Sequence, residues 1–200
     1  WKTSVIPKLS REFISTSAPE RPGMLEVETK YQLDDKSALV DRLEKSGAMS
    51  IGTERHADTY YRHPCRDFVE TNEALRIRSI DSVASVTYKG PKMAVGDSAL
   101  KARKEIEWCL APGDADGSNM AQLFDALGFT AVTTVRKERQ SYGWPESDDA
   151  HSGFTLTIDQ VDQVGLFAEI ELLIPDASSG DVQAAGERIS ALAGRLGLVK

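Results

Sequence analysis

Residues 25–31, LEVETKY, alternate strictly between charged and uncharged side chains. On a β-strand Glu26, Glu28 and Lys30 therefore share one face, and the residues between them share the other. A strand normally buries its apolar face and exposes its charged face, so a solvated strand is one interpretation. Two carboxylates and an ammonium in line, about 6–7 Å apart at alternate positions, also suit a metal ion held beside a phosphate.

The same alternation recurs along the chain, interrupted by helices that carry an apolar stripe. The pattern predicts eight strands, at 24–33, 50–61, 73–80, 83–89, 102–110, 130–142, 153–159 and 166–174. It predicts helices within 34–47, 114–127 and 180–198, the first capped by an aspartate and the first two ending at glycines. The loop at 93–99 contains glycine but lacks the P-loop pattern.

Composition indicates one folded domain at 24–200, preceded by a flexible N-terminal tail at 1–23. The net charge of −7 argues against nucleic acid or an anionic membrane as a partner. No apolar run approaches the ~20 residues of a membrane span, and no signal-peptide core is present. Cys65 and Cys109 suit reduced cytoplasmic thiols. The histidines lack metal-ligand spacing, so we expect surface or loop positions for His56, His63 and His151.

The helices need an apolar surface to cover, and the strands supply one on a single face. The charged faces then line a lumen if the sheet curls into a barrel. We therefore predict an α+β fold: an eight-stranded, mostly antiparallel β-barrel with a charged lumen and helices packed outside. The lumen cations would be Lys30, Arg76, Arg78, Lys89, Arg103, Lys137 and Arg139, and the carboxylates Glu26, Glu28, Glu105, Glu107, Asp159, Glu169 and Glu171.

Enclosing so many charges requires partners, because each buried ion costs several kcal/mol even after relaxation. Mutual pairing offsets only part of that cost. A bound polyanion with divalent cations accounts for both sets of charges. Arginines and lysines would hydrogen bond to phosphate oxygens, and the carboxylates would hold Mg²⁺ or Mn²⁺, which prefer oxygen ligands. The competing interpretation is a flat charged sheet face in contact with water.

The Glu-x-Glu-x-Lys stretch at 26–30 resembles the signature of the CYTH superfamily, the triphosphate tunnel metalloenzymes. Six further blocks follow in family order: DTYY at 58–61, EALRIR at 73–78, TYKGP at 87–91, RKEIE at 103–107, KER at 137–139, and Asp159 leading to GLFAEIE at 165–171. The chain is most similar to class IV adenylyl cyclases, through RDF at 66–68 ahead of TNEALRIR at 71–78. Thiamine triphosphatases and inorganic triphosphatases share the same charged positions.

The resemblance implies a role for each charged position. Lys30 would lie near the reacting centre and be catalytic together with Glu26 and Glu28. Of Lys101 and Arg103, we favour Arg103 as the residue that faces the lumen, because it shares parity with Glu105. The metal ligands would be Glu26, Glu28, Glu169 and Glu171, joined by Asp159, Glu105 and Glu107. The triphosphate would be bound by Lys30, Arg76, Arg78, Lys89, Arg103, Lys137 and Arg139.

Three functions follow from this resemblance. The first is a cytoplasmic, metal-dependent adenylyl cyclase that converts ATP to cyclic AMP and pyrophosphate. The second is a triphosphatase acting on tripolyphosphate, thiamine triphosphate or a nucleoside triphosphate. The third is a non-catalytic module that binds polyphosphate or a nucleotide. A homodimer is implied by the family alone, and the nucleobase pocket and preferred metal are left open.

Overall fold

The computed structural model describes residues 24–81, 83–92, 101–145, 147–175 and 179–199. Within these ranges the chain forms nine strands and three α-helices. In chain order they are β1 (Met24–Leu33), α1 (Ser37–Lys45), β2 (Met49–Arg62), β3 (Ala74–Ile80), β4 (Val83–Lys89), β5 (Lys101–Arg103), β6 (Glu105–Cys109), α2 (Ser118–Ala126), β7 (Thr130–Gly143), β8 (Phe154–Val161), β9 (Gly165–Pro175) and α3 (Ser179–Arg195). The tail at 1–23 and the loop at 93–99 lie outside the described residues.

One antiparallel sheet contains all nine strands, in the order β5-β1-β9-β8-β7-β2-β3-β4-β6. Its two edge strands, β5 and β6, are consecutive in the chain and are separated by Lys104 alone. Because the edges are covalently joined, the sheet curls into a nearly closed barrel, which confirms the predicted fold. The Gly90 N–H donates to the Lys104 carbonyl at 2.9 Å at this junction.

The strand predicted at 102–110 is in fact two strands. Its first part pairs with β1, with Arg103 opposite Glu26, and its second part pairs with β4, with Glu105 opposite Lys89. A run of alternating side chains looks the same whether it pairs with one neighbour or changes neighbours midway. The break therefore raises the strand count from eight to nine without moving any side chain to another face.

The larger hydrophobic core lies between β1, β8 and β9 and the helices α1 and α3. Val27, Leu156 and Ile170 are fully buried on the strands, and Leu43 and Ile189 meet them from the helices. Burying such a side chain is worth about 1.5–3 kcal/mol, so this face of each strand must turn outward to the helices. The charged residues between them are thereby directed into the barrel.

A smaller core joins β2, β3 and β4 to α2. Tyr61 of β2 meets Phe124 of α2 edge-to-face, with 5.0 Å between ring centroids. The sequence predicts an apolar stripe of Met120, Leu123, Phe124 and Leu127 on this helix, and that prediction is partly wrong, because Leu123 and Leu127 are exposed. The helix covers only the part of the barrel next to the smaller core.

The outer face of β6 lies outside both cores. Ile106 and Trp108 are 45% and 40% exposed there. The expectation that the helices cover every apolar strand face is therefore wrong for this strand. Three short helices do not have enough surface to surround a nine-stranded barrel.

The first helix begins and ends as its sequence predicts, with one shift in the cap. The N-cap position is Lys36, and Asp35 accepts a hydrogen bond from the Ser37 N–H at 3.0 Å. Gly47 then takes a positive φ of 81° after the last turn. None of the described helices is long and apolar enough to cross a membrane.

Candidate functional site

The interior of the barrel carries the predicted charged residues, and all of them except Lys30 are buried or half-buried. The strand register sorts them by sign. We call the cations of β3 and β7 the cation wall: Arg76, Arg78, Lys137 and Arg139. We call the glutamates of β1, β6 and β9 the carboxylate wall: Glu26, Glu28, Glu105, Glu107, Glu169 and Glu171.

Asp58 of β2 holds the first pair of wall cations. It lies directly opposite Arg78 in the β2–β3 register, and Arg76 is two residues earlier on the same face. Asp58 accepts hydrogen bonds from Arg78 Nε at 2.7 Å and Nη2 at 2.8 Å, and from Arg76 Nη1 at 3.2 Å. The carboxylate is thereby engaged on both oxygens.

Asp159 of β8 holds the second pair. It lies directly opposite Arg139 in the β7–β8 register. Arg139 donates to it through Nε and Nη2, and Lys137 donates through Nζ, all at 2.7 Å. Arg139 also donates to Glu169 at 3.0 Å, which joins the cation wall to β9.

These contacts set the charge states of the aspartates. Burial alone would raise the pKa of Asp58, but the hydrogen bond and charge of Arg78 outweigh it, and the pKa lies well below its ordinary value. Asp159 is the same case: burial opposes ionisation, yet Arg139 and Lys137 lower its pKa to about 2. Both carboxylates are therefore ionised at neutral pH.

The pKa values of Lys137 and Arg139 shift in opposite directions. Burial, followed by repulsion from Arg139, lowers the pKa of Lys137 to about 8. Burial would also lower the pKa of Arg139, but Asp159 and Glu169 raise it above its ordinary value. Lys137 is thus the cation of this wall that titrates nearest to neutral pH.

Cations also reach the carboxylate wall. Lys89 contacts Glu105 and lies 3.8 Å from Glu26 Oε1. Arg103 Nη2 lies 3.9 Å from Glu28 Oε1, so Arg103 does face inward, as its parity predicts. A further predicted ligand, Glu107, is positioned by a hydrogen bond from the Thr87 hydroxyl at 2.6 Å. The side chain of Lys101 lies outside the described residues.

The carboxylates of this wall repel one another. Burial, partly offset by Lys89, raises the pKa of Glu26 well above its ordinary value, and Glu171, Glu105 and Glu28 raise it further. Burial and the charge of Glu169 raise the pKa of Glu171 to about 7. The cations present therefore neutralise this wall only in part.

A divalent cation fits this donor set, because it would relieve the repulsion and all the donors are carboxylate oxygens. Among the described residues, however, no three His, Cys, Asp or Glu side chains already converge on one point. Glu26, Glu28 and Glu171 would hold the ion, and the side chains that now face Lys89 and Arg103 would have to turn toward it.

Lys30 is set apart from the other predicted residues. It lies opposite Glu169 in the β1–β9 register, but its side chain is exposed. Its ammonium lies 5.3 Å from the centre of the Phe167 ring, a cation–π distance. Lys30 is therefore at the edge of the charged interior and not inside either wall.

Two residues of the site were missed in the sequence. Asp58 lies in the DTYY block, and its parity with the inward face of β2 was the available signal. His56 is the second: the expectation of a surface or loop position is wrong, because it is only 4% exposed. Its Nε2 lies 2.9 Å from Glu54 Oε2, and its Nδ1 is buried with no hydrogen-bond partner among the described residues. The alternation of β2 places it beside Asp58 on the lumen side.

Comparison with known proteins finds a family model and several related proteins. The CYTH domain model matches residues 24–198. A Methanocaldococcus jannaschii protein with a provisional adenylate cyclase name is 40% identical over 158 residues, covering 79% of this chain and 82% of the relative. The PH1819 protein of Pyrococcus horikoshii OT3 is 35% identical, with 88% of this chain and 92% of that chain covered and a TM-score of 0.72.

A more distant structure shares the fold. It is a Hippeastrum protein described as a provisional adenylyl cyclase with a dominant triphosphatase activity, 19% identical, with 86% of this chain and 88% of that chain covered and a TM-score of 0.58. From the match over 24–198 and the two closer relatives, the chain belongs to the CYTH domain family, whose members are metal-dependent triphosphate tunnel enzymes.

Proposed function

We propose that this protein is a metal-dependent adenylyl cyclase, which converts ATP to cyclic AMP and pyrophosphate. The observation that carries the proposal is the sorting of charge inside one barrel, with paired cations on β3 and β7 and glutamates on β1, β6 and β9. The name of the M. jannaschii relative, at 40% identity, favours a cyclase over the other reactions of the family.

The cation wall would bind the triphosphate. Arg78 and Arg139 each donate from Nε and Nη2 to an aspartate, and the third nitrogen, Nη1, would donate to a phosphate oxygen. Arg76, Lys137, Lys89 and Arg103 would add further donors, as the family resemblance predicts. Multiple charge-assisted hydrogen bonds of this kind fix the position of a polyphosphate and balance its charge.

The carboxylate wall would hold the metal. Mg²⁺ or Mn²⁺, when bound, would lower the pKa of the ribose 3′-hydroxyl and orient it toward the α-phosphorus. Glu26 and Glu28 are the primary ligands in this proposal, with Glu169, Glu171, Glu105 and Glu107 as the predicted others. Lys30 stays a predicted catalytic residue, and its position on β1 is opposite Glu169 of β9.

Catalysis would rest on position and charge. The reaction forms a bond from the 3′-oxygen to the α-phosphorus and breaks the bond to the bridging oxygen of pyrophosphate. Negative charge then builds on the leaving group, where Arg76, Arg78 and Arg139 would stabilise it. Phosphoryl chemistry of this kind needs no covalent intermediate on the enzyme.

A triphosphatase is the second candidate, and the described activity of the Hippeastrum structure favours it. The same walls would then bind tripolyphosphate, thiamine triphosphate or a nucleotide, with water attacking the terminal phosphorus. The two reactions differ in the nucleophile, which is the ribose 3′-hydroxyl or water, and in the phosphorus that it attacks. The predicted homodimer and cytoplasmic location stay predictions in either case.

The deciding experiment offers purified protein ATP and tripolyphosphate separately, each with Mg²⁺ and with Mn²⁺, and resolves the products. Cyclic AMP with pyrophosphate supports the cyclase. Orthophosphate without a cyclic nucleotide replaces it with the triphosphatase. Binding without any product supports the third interpretation, a non-catalytic module, in which case Glu26→Ala would leave polyphosphate affinity unchanged.

A further inference from the structure

The cation wall contains the same local arrangement twice. On β3 the sequence is Arg76-Ile-Arg78, and on β7 it is Lys137-Glu-Arg139. In each case an aspartate of the neighbouring strand lies directly opposite the second cation. In each case the aspartate accepts Nε and Nη2 of that arginine and one more N–H from the cation two residues earlier.

This arrangement leaves the aspartates little capacity for any other ligand. The Asp58 side chain is 4% exposed and that of Asp159 is 1% exposed, and each already accepts three hydrogen bonds. A carboxylate has about four lone-pair sites, and three of those on Asp159 are occupied, so a metal ion would have at most one site left, on an oxygen of a side chain that is almost fully buried. The two oxygens also hold the guanidinium plane of the opposite arginine, because the fork of Nε and Nη2 fits a carboxylate in one orientation.

We propose that Asp58 and Asp159 are positioning residues that direct the four cations of the wall toward a bound polyphosphate, and that Asp159 is not a metal ligand. The proposal rests on the polyphosphate binding proposed above, and it removes one residue from the metal set that the family resemblance implies. The metal would then be confined to the glutamates of the carboxylate wall.

The negative charge of each aspartate disfavours phosphate binding, whereas its hydrogen bonds hold the arginine in position for the phosphate. The two effects oppose each other, which makes the proposal testable. Replacing either one by asparagine removes a negative charge beside the phosphate site, which favours anion binding. The same change frees the arginine plane, which disfavours a productive position of the phosphate. A positioning role therefore predicts that turnover falls while affinity hardly changes.

The first measurement is the affinity for Mn²⁺ in the absence of phosphate, monitored through the electron paramagnetic resonance signal of free Mn²⁺. Asp58→Asn and Asp159→Asn are expected to bind Mn²⁺ within about twofold of wild type, whereas Glu171→Gln loses about tenfold or more. The matched control is Asp162→Asn, an exposed aspartate at the end of β8. An Mn²⁺ loss in Asp159→Asn as large as that in Glu171→Gln would overturn the proposal.

The second measurement compares the two asparagine variants with wild type. Calorimetry in EDTA gives their affinity for tripolyphosphate, and kcat and KM are measured on whichever substrate the wild type turns over. We expect affinity and KM within about threefold of wild type and kcat lower by about tenfold or more. Tighter tripolyphosphate binding with unchanged kcat would mean that the aspartates only neutralise charge, which contradicts positioning. If wild type turns over nothing, the proposed function fails while the Mn²⁺ and affinity measurements still decide this proposal.

The third measurement reads the geometry directly. In ¹⁵N spectra the Nε–H resonances of Arg78 and Arg139 are expected to be sharp and protected in wild type. Asp58→Asn should remove the protection of Arg78 alone, and Asp159→Asn that of Arg139 alone; loss of neither would contradict the proposal. Where an asparagine variant fails to fold, Asp159→Glu is the alternative, because it keeps the charge and lengthens the side chain. It should retain Mn²⁺ affinity and have a lower kcat. A kcat equal to that of wild type would contradict positioning.

Discussion

His56 of β2 lies directly opposite Lys137 of β7, and both side chains are buried in the barrel interior. Arg78 and Arg139 are also close enough to act on the imidazole by charge. A neutral imidazole that contacts the Glu54 carboxylate therefore also faces three cations, although histidine is ionisable near neutral pH. This relationship makes the pH dependence of the protein specific enough to predict.

Acidification should remove the contribution that the neutral His56 side chain makes to stability. Burial, followed by the charge of Arg78, lowers the pKa of His56 from 6.5 to about 4 in the folded state. At His56 the unfolded chain binds more protons between these values, so the contribution of His56 to stability is lost as the pH falls from about 6.5 to 4, whereas the raised pKa values of Glu26 and Glu171 act in the opposite direction. The stability of His56→Gln relative to wild type should therefore rise as the pH falls over this interval, measured by urea unfolding at pH 7, 5.5 and 4.5.

Below pH 4 the stability of His56→Gln and that of wild type should change with pH in the same way. Asp58 and Asp159 have depressed pKa values, so their stabilisation is present above about 4 and is lost as the pH falls further. An equal loss in His56→Gln and wild type between pH 6.5 and 4.5 would show that another group carries the effect.

Alkaline conditions should weaken polyphosphate binding through Lys137. Its pKa of about 8 means that the ammonium loses its proton as the pH rises from 7.5 to 9. The matched variant is Lys137→Arg, whose guanidinium stays charged over this range. Tripolyphosphate affinity measured by calorimetry should fall with pH in wild type relative to Lys137→Arg. Parallel curves would contradict the assignment, because ionisation of the ligand itself affects both proteins equally.

Metal affinity should fall on mild acidification. The carboxyl of Glu171 has a pKa of about 7, so protons compete with a metal ion between pH 8 and 6. Mn²⁺ affinity should decrease over this interval in wild type, and Glu171→Gln should be weak at both ends. Glu138→Gln on the exposed face of β7 is the control and should follow wild type. A pH-independent Mn²⁺ affinity in wild type would exclude Glu171 as a ligand.

Gly117, just before α2, should tolerate no side chain. It has a φ of +77°, and a Cβ atom there would lie 2.5 Å from Ile77 Cγ2 on β3. Backbone strain and overpacking together predict that Gly117→Ala lowers the free energy of unfolding by about 2–4 kcal/mol. Gly113→Ala is the control, because nothing lies within 4 Å of its Cβ position. Equal unfolding midpoints for the two variants would contradict this packing.

The alternation of charged and apolar residues was enough to predict the barrel and most of its interior. Glu26 and Arg78 are inside because Val27 and Ile77 occupy the outward positions beside them. A two-residue period leaves only two faces, and the helices need one of them. The residue-level roles within the lumen do not follow from this period.

Pairing partners could not be predicted from the pattern. Asp159 shares the parity of a metal ligand, but the register puts it opposite Arg139, where it accepts hydrogen bonds from two cations. The burial of His56 depends in the same way on which strands flank β2. The position of Lys30 depends on where β1 leaves the barrel, which its sequence does not indicate.

At Lys104 the barrel is closed by the chain itself and not by a strand pairing. Eight of the contacts around the ring are ladders of hydrogen bonds, whereas the ninth, between β5 and β6, is the polypeptide itself. Strand number and stagger set the diameter of a barrel, and the single residue between β5 and β6 keeps the two edge strands together where no ladder joins them. An insertion at Lys104 would therefore loosen this closure and leave all eight ladders intact.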